Sequence, residues 1–463
     1  MAENILGVLP IPKLLRRFAL PSIISMLVNS VYNIVDQIFI GHRIGYIGNG
    51  ATSVSFPFVT FFMAISLLIG VGTAANVGLN LGRKDQKRAD LVMGNGIFLA
   101  LTAGLMLFTV AEIFLIPLLR CFGATDIILP YAVDYSRIYI IGVIFVTISI
   151  VLSDLIRADG SPAYAMISML SGAILNVILD YVFMYPLDLG MRGAALASII
   201  GQFLNLVVAL SYLRRFRTLN LKRENLRPDP SVIKEIVSLG LPSFITQFAG
   251  LLVSITMNQQ AVKYGALTEY GSEIPVTVFG IVMKVNSIML ALIMGTTIGA
   301  QPIFSYNYGA RNYRRVRQLA IITLITTSIM SVCGMLAVQL FPQQIISAFG
   351  QEDALYNEFA THALIIMTIM IFILGIQMTS ISYFQAIGKP RYSLIVSICR
   401  QIGFMLPLLY ILPLIMGLDG IMYSFVFCDI GVLIVCTVLF TKELKDLNRL
   451  IKNQDQVCGS ASR

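Results

Sequence analysis

The sequence predicts an all-α protein that spans a membrane twelve times, built as two six-helix halves around a central cleft. Composition, the length of the apolar blocks and an internal repeat carry that expectation. Of 463 residues, 57% are hydrophobic and 12% are charged, where a soluble globular domain carries about 25% charge. Mean hydropathy is +0.82. Many apolar blocks exceed the roughly 18 residues that mark a spanning helix.

The blocks lie near 15–41, 52–80, 91–118, 129–157, 162–186, 191–213, 234–263, 275–305, 316–341, 357–386, 392–415 and 418–440. The opening "MAENILGVLPIPKLLRRF" is mixed and runs straight into the first block, so no cleavable signal is expected. Basic residues collect in alternate loops. Lys13, Arg16 and Arg17 precede the first block, and Arg83, Lys84, Lys87 and Arg88 follow the second. Arg214, Arg215, Arg217, Lys222, Arg223 and Arg227 follow the sixth, and Arg311, Arg314, Arg315 and Arg317 the eighth. Lys442, Lys445, Arg449 and Lys452 occupy the tail. The intervening loops are poor in Lys and Arg, and "GQEDALYNEF" is acidic. The positive-inside rule then places both termini in the cytoplasm, which an even helix count satisfies. The net charge of +9 is a topology signal, so no nucleic-acid partner is expected.

The two halves align. "NLGRKDQKRADL" from Asn80 resembles "NYGARNYRRVRQL" from Asn307, and "CFGATD" from Cys121 resembles "AFGQED" from Ala348. "ADGSP" from Ala158 resembles "AIGKP" from Ala386, and "LGMRG" from Leu189 resembles "MGLDG" from Met416. These offsets are 227 or 228; "ALPS" from Ala19 resembles "GLPS" from Gly240 at 221. Five matches in order indicate duplication. Six helices per half is even, so the repeats are parallel. The expected organisation is an N-terminal lobe over 1–213, a basic linker over 214–233, a C-terminal lobe over 234–440 and a tail over 441–463. Pseudo-symmetric halves around a cleft are a common build of secondary transporters.

Ionisable groups inside a span need a reason, because insertion costs about 2.5–3.5 kcal/mol each. Asp36 sits in "NSVYNIVDQIFIG" with Asn29, Asn33 and Gln37 in a stripe at near-helical spacing. Asp180 follows Asn176 by one turn in "GAILNVILDYVFM", and Ser198 and Gln202 share a face in the sixth helix. The first and fifth helices both run outward, so the two acids lie at similar depth. Two carboxylates among amide and hydroxyl oxygens suit a hard cation such as Na⁺. They equally suit a proton, since burial and a second carboxylate both favour the protonated form. The alternative is polar glue between helices.

Other charges read as structural. Glu112 and Arg120 are expected to snorkel, Arg137 to pair with Asp134 one turn away, and Asp154, Arg157 and Asp159 to form a solvated network. Arg400 and Asp429 are expected to pair across the C-terminal half, and Lys284 lies deep in its span without an assigned role. Pro21, Pro57 and Pro242 fall inside helices, where each can kink or hinge. The 21 methionines suit lipid, core or an adaptable pocket. Six cysteines and two histidines show no ligand spacing, so no metal cluster, disulfide framework or cofactor is expected. Trp is absent, leaving Tyr and Phe for the interfacial belt. The repeat breaks where it matters. "GFMLPLLYILP" stands opposite Asn176 and Asp180 with no acid, and Asn258, Gln259 and Gln260 stand opposite Asp36. Coupling chemistry is therefore expected in the first half.

With "ALPS…VDQIFIG", the "NLGRKD" and "NYGARN" pair, "ADGSP", and "LNVILDYVFM" followed by "GMRGAALAS", residues 10–440 resemble the multidrug and toxic compound extrusion (MATE) family. The sequence is similar to its DinF-like and MepA-like bacterial branch. The resemblance implies two six-helix bundles forming a V-shaped cleft in the bacterial plasma membrane. It implies export of organic cations and amphipathic drugs in exchange for H⁺ or Na⁺, with a monomer as the default. Asp36, Asn176, Asp180 and Ser198 match the family's N-lobe cation site, with Ser198 where many relatives have Thr. Na⁺ would sit at Asp36, Asn176 and Asp180. Pro21 matches the proline about which the first helix is thought to bend. The seventh helix is read as carrying Gln247 and no acid, so a C-lobe cation site is not expected. Asn33, Gln37, Gln202, Met257, Gln260 and Lys284 are the candidate substrate-cleft residues. A lipid or oligosaccharide flippase on the same scaffold would need a more cationic cavity. An intramembrane aspartyl protease would pair the two acids, but no GxGD-like context surrounds Asp180. A ligand-sensing receptor would need an extramembrane signalling domain.

Overall fold

A computed structural model describes residues 5–347 and 354–461. The second repeat copy "AFGQED", residues 348–353, lies outside them. The first lobe contains α1 (Ile11–Ile44), α2 (Tyr46–Gly82), α3 (Gln86–Ile113), α4 (Leu129–Ala158), α5 (Pro162–Met184) and α6 (Gly190–Ser211). The second contains α7 (Pro230–Gly265), α8 (Glu273–Gly309), α9 (Tyr313–Leu340), α10 (Ala354–Thr368 and Phe372–Ala386), α11 (Pro390–Met416, with a π-helical turn at Cys399–Met405) and α12 (Leu418–Ala461). Eleven of these are long and apolar enough to span a membrane, and the two halves of α10, bent by 45°, make the twelfth. No strand occurs among the described residues.

Local chemistry explains the breaks. The third span was expected to reach 118 but α3 stops at Ile113, and a short helix, Leu115–Cys121, follows. Pro117 is the reason: it lacks an N–H and its ring strikes the carbonyl of Ile113. In α10, Gln339 of α9 donates its amide to the Ile365 carbonyl at 2.8 Å. The Ile369 N–H, its normal partner, turns to Ile366 instead. A side chain inserted into the ladder bends the helix. The tail is no loose end, because α12 continues through it and Arg314 holds Asp455 at 2.7 Å.

Residues near both ends of the chain meet the start of α9. Arg315, beside Arg314, donates to the carbonyls of Leu6 and Leu9. We call this end, with its basic loops, the basic face.

At that face the lobes exchange their first helices. Ile11, Leu14, Leu15 and Phe18 of α1 pack among Ala300, Ile303 and Phe304 of α8, Leu319 of α9 and Tyr383 of α10. Val232 and Ile236 of α7 pack among Val77 of α2, Val92 of α3 and Leu155 of α4. Val232 and Ile236 stand 221 residues after Ile11 and Leu15, so the exchange obeys the repeat. Glycine makes it fit. A Cβ on Gly82 would strike the backbone of Tyr306, and one on Gly309 would strike that of Leu79, which is the same contact seen from the other lobe. From Gly72 to Gly82 in α2, at Gly240 in α7, and from Gly295 to Gly309 in α8, such approaches lie in the half nearest the basic face. Phe61 meets Phe244 and Phe248 about midway, with ring centroids 6.2 and 6.0 Å apart.

Several expectations change. Arg137 pairs with Glu112 at 3.0 Å, not with Asp134, which pairs with Arg192 at 3.0 Å. Arg120 meets Asp126 at 3.6 Å. Asp154, Arg157 and Asp159 are not a solvated network: Arg157 and Asp159 are buried, and Arg157 holds Asp154. Asp159 accepts from the Thr218 N–H at 2.8 Å, the Arg217 N–H at 3.0 Å and the Tyr212 hydroxyl at 2.8 Å. The linker is thereby bound to the first lobe. Arg400 and Asp429 do pair, at 3.8 Å. The seventh helix does contain an acid, Glu235, near its start at the basic face.

Candidate functional site

The N-terminal lobe encloses a pocket between α1, α2, α4, α5 and α6. Backbone contact between α5 and α6 positions it. A Cβ on Gly172 would stand 2.6 Å from the Gly201 carbonyl oxygen, and one on Gly201 2.7 Å from that of Gly172. Only glycine at both places lets the helices touch, and that closeness brings Asn176 opposite Ser198. Asn176 settles in one amide orientation: Nδ2 donates to Asp180 Oδ2 at 3.3 Å and Oδ1 accepts from the Ser198 N–H at 3.2 Å. Four residues on one face of α1 then present Asn29, Asn33, Asp36 and Gln37 to the pocket, together with Tyr32.

Asp36 and Asp180, from α1 and α5, stand within hydrogen-bonding reach of each other. Both are buried, and Oδ1 of each has no hydrogen-bond partner among the described residues. Two buried acceptors without a donor suit a proton or a small cation. Among the described residues, no Lys or Arg lines the pocket. The donors are all oxygen, and no cluster of three His, Cys, Asp or Glu occurs among the described residues. Such a set fits H⁺ or a hard monovalent cation and does not fit a transition metal. The cavity holds about 160 Å³, against the roughly 300–1,000 Å³ of a drug-sized site. It has room for an ion with a few waters.

A family model for MatE matches residues 21–182 and 242–411, one copy in each lobe. The chain belongs to the MatE family. It is 25% identical to multidrug export protein MepA of Staphylococcus aureus strain MRSA252 over 453 residues, covering 96% of this chain and 97% of that one. It is 26% identical to MepA of Staphylococcus haemolyticus strain JCSC1435 over 418 residues, 90% of each chain. Its fold is similar to a multidrug resistance MATE family transporter of the MOP superfamily in an outward-facing conformation. There the TM-score is 0.89 at 23% identity, over 98% of this chain and 99% of that one. It is likewise similar to a MOP superfamily transporter from Pyrococcus furiosus, described with a binding pocket of reverse polarity. There the TM-score is 0.90 at 22% identity, over 97% and 99%.

In this MatE chain the pocket gathers Asp36, Asn176, Ser198, Asn33, Gln37 and Gln202, with Asp180 directly behind. Met257, Gln260 and Lys284 lie apart from it. Met257 is buried in the core of the C-terminal lobe, Gln260 is buried on α7, and Lys284 is exposed on α8. Pro21 lies within a continuous α1, where its carbonyl accepts from the Ser25 hydroxyl at 2.9 Å. Pro242 repeats this with Thr246 at 2.8 Å. Sequence reasoning missed Tyr32, Tyr135, Tyr139, Thr52 and Asn205. Tyr135 and Tyr139 stack at 5.5 Å, Tyr139 receives the Gln202 amide at 3.4 Å, and Thr52 donates to Gln37 at 3.2 Å. A signal existed for three of them: Tyr32 precedes Asp36 by one turn, and Tyr135 precedes Tyr139 by one turn. A larger cavity of about 790 Å³ in the other lobe borders Tyr270, Gln343, Glu358 and His362, with no second acid among the described residues that line it.

Proposed function

We propose that this chain is a multidrug efflux antiporter of the bacterial plasma membrane. It exports organic cations and amphipathic drugs in exchange for H⁺ or Na⁺, by alternating access. It works as a monomer and without a cofactor beyond the coupling ion. Both termini and the basic face lie in the cytoplasm, as the lysine and arginine bias supports. The carrying observation is the pair Asp36 and Asp180, buried within reach of each other, with one oxygen of each unpartnered and no Lys or Arg lining the pocket among the described residues. The names of the MepA relatives support drugs as the cargo.

The chain's own residues would act as follows. Asp36 and Asp180 take one positive charge from outside, with Asn176 and Ser198 orienting Asp180. Loading removes the repulsion between the two carboxylates and lets α1 and α5 approach. Ligand energy of this kind biases a two-state scaffold only through a difference between its states. Drug occupies the wider cleft, since the ion pocket is too small for it. The acidic lining disfavours a flippase for phosphate-bearing lipids.

The test is efflux of ethidium from proteoliposomes under a Na⁺ gradient and, separately, a pH gradient, with wild type and Asp36→Asn. One gradient driving wild type but not the variant supports the reading and names the ion. If wild type moves no cation under either gradient, the reading fails for those drugs and labelled lipid-linked substrates become the next assay.

A further inference from the structure

The repeated loops "NLGRKDQKR" and "NYGARNYRR" are not used by the coupling site, yet they hold the most specific polar contacts across the seam. Arg88 begins α3 of the N-terminal lobe. Its guanidinium donates to Glu235 on α7 of the other lobe at 2.6 Å. Asn76 of α2 donates to the second oxygen of the same carboxylate at 3.0 Å. Arg315 stands 227 residues after Arg88, at the start of α9 in the C-terminal lobe. It donates to the Leu9 carbonyl at 2.7 Å and the Leu6 carbonyl at 3.3 Å, just after and within the short helix Ile5–Val8 that precedes α1. Asn307, which is Asn80 plus 227, donates to the same Leu6 carbonyl at 2.9 Å and accepts from Arg315 at 2.9 Å.

We propose that Arg88 and Arg315 are paired latches that hold the seam closed at the basic face. Each ties the start of one lobe's first helix to the third helix of the other lobe. The arms are equivalent in position and different in chemistry. The Arg88 arm is ionic and borders a cavity of about 750 Å³ with Arg83, Lys234 and Lys389. Its two side chains are 39% and 42% exposed, so water and salt reach it. The Arg315 arm grips backbone carbonyls beside the buried Leu6, with Gly7 against the Tyr306 ring. Salt reaches it less. An opening at this face must break both arms, so both set the balance between the two facing states. They are positioning residues; neither touches the coupling pocket.

The inference rests on alternation between two facing states, but its test uses neither drug nor gradient, so its failure is separable from failure of the antiport reading. Spin labels are placed at the exposed Lys87→Cys and Arg317→Cys, in a chain whose native cysteines are replaced by serine or alanine. Distances are read by double electron–electron resonance in nanodiscs. Arg88→Ala should raise the long-distance population about threefold to fivefold, as suits an exposed ion pair. Arg315→Ala should raise it about tenfold, because two charge-assisted bonds are lost. Arg88→Ala with Glu235→Ala should do no more than Glu235→Ala alone, which also loses the Asn76 bond, whereas Arg88→Ala with Arg315→Ala should multiply. The swap Arg88→Glu with Glu235→Arg should restore the wild-type distribution. On the wild-type residues, 0.5 M salt should act like Arg88→Ala, which keeps the proposal testable if a variant misfolds. Independent effects of Arg88 and Glu235, no response to Arg315→Ala, or a failed swap would overturn it.

Discussion

Gly201→Ala adds one methyl to the closest helix contact in the coupling pocket. Its Cβ would stand 2.7 Å from the Gly172 carbonyl oxygen and 3.0 Å from Asn176 Cβ, where ordinary contact begins at 3.4 Å. Both neighbours are backbone or a Cβ, so no flexible chain end can swing away. α5 and α6 must separate by about 0.7 Å to restore normal van der Waals distance. The Asn176 Oδ1 to Ser198 N–H bond, now 3.2 Å, would stretch to roughly 3.9 Å, beyond a hydrogen bond. Overpacking of this kind costs about 1–3 kcal/mol, a modest part of a lobe's stability. The variant should therefore insert and fold, with an unfolding midpoint about 2–10 °C lower. Asp180 would lose its orienting amide, and gradient-driven ethidium efflux should fall about 10- to 100-fold. Efflux at the wild-type rate with a lowered midpoint would refute the claim that this backbone contact sets the site. Equal loss in Gly104→Ala, which crowds α4 far from the pair at 3.1 Å from Ile144 Cα, would show a general packing effect instead.

Other outcomes follow from the same structure. Asp36→Asn and Asp180→Asn should each abolish gradient-driven efflux with normal membrane insertion on blots; normal export by either variant would remove that residue from the site. Tyr139→Phe removes only a long 3.4 Å bond from Gln202, so transport should drop by no more than about fivefold. Asp159→Ala strips partners from two backbone N–H groups and the Tyr212 hydroxyl. Trypsin should then cut the linker at Arg215 or Arg217 several times faster in the variant, and an unchanged rate would deny the anchoring role. Cys121 is exposed between α3 and α4; left as the single cysteine, it should react with an impermeant maleimide on intact cells. Labelling only in inverted vesicles would reverse the topology.

The sequence by itself determined what depends on composition and local periodicity. Block length set the twelve spans, and the "ADGSP" and "AIGKP" spacing exposed the duplication. The one-turn steps from Asn29 to Asn33 and from Asn176 to Asp180 put polar atoms on single helix faces. Those features need only the geometry of one helix. Tertiary structure decided what depends on how helices face each other. Apolar residues facing lipid and apolar residues facing a neighbouring helix look alike to hydropathy. Nothing in Ile11 or Val232 therefore announced that each lobe's first helix is buried in the other lobe. Arg137 chose Glu112 on another helix over Asp134 one turn away, because helix rotation, and not sequence distance, sets which charges meet. Asp154 and Arg157 lie where water was expected because α4 is packed on several sides. Asp36 and Asp180 were legible as two acids 144 residues apart. That Asn176 faces Ser198 beside Asp180 was decided by Gly172 and Gly201, whose missing side chains let α5 and α6 touch.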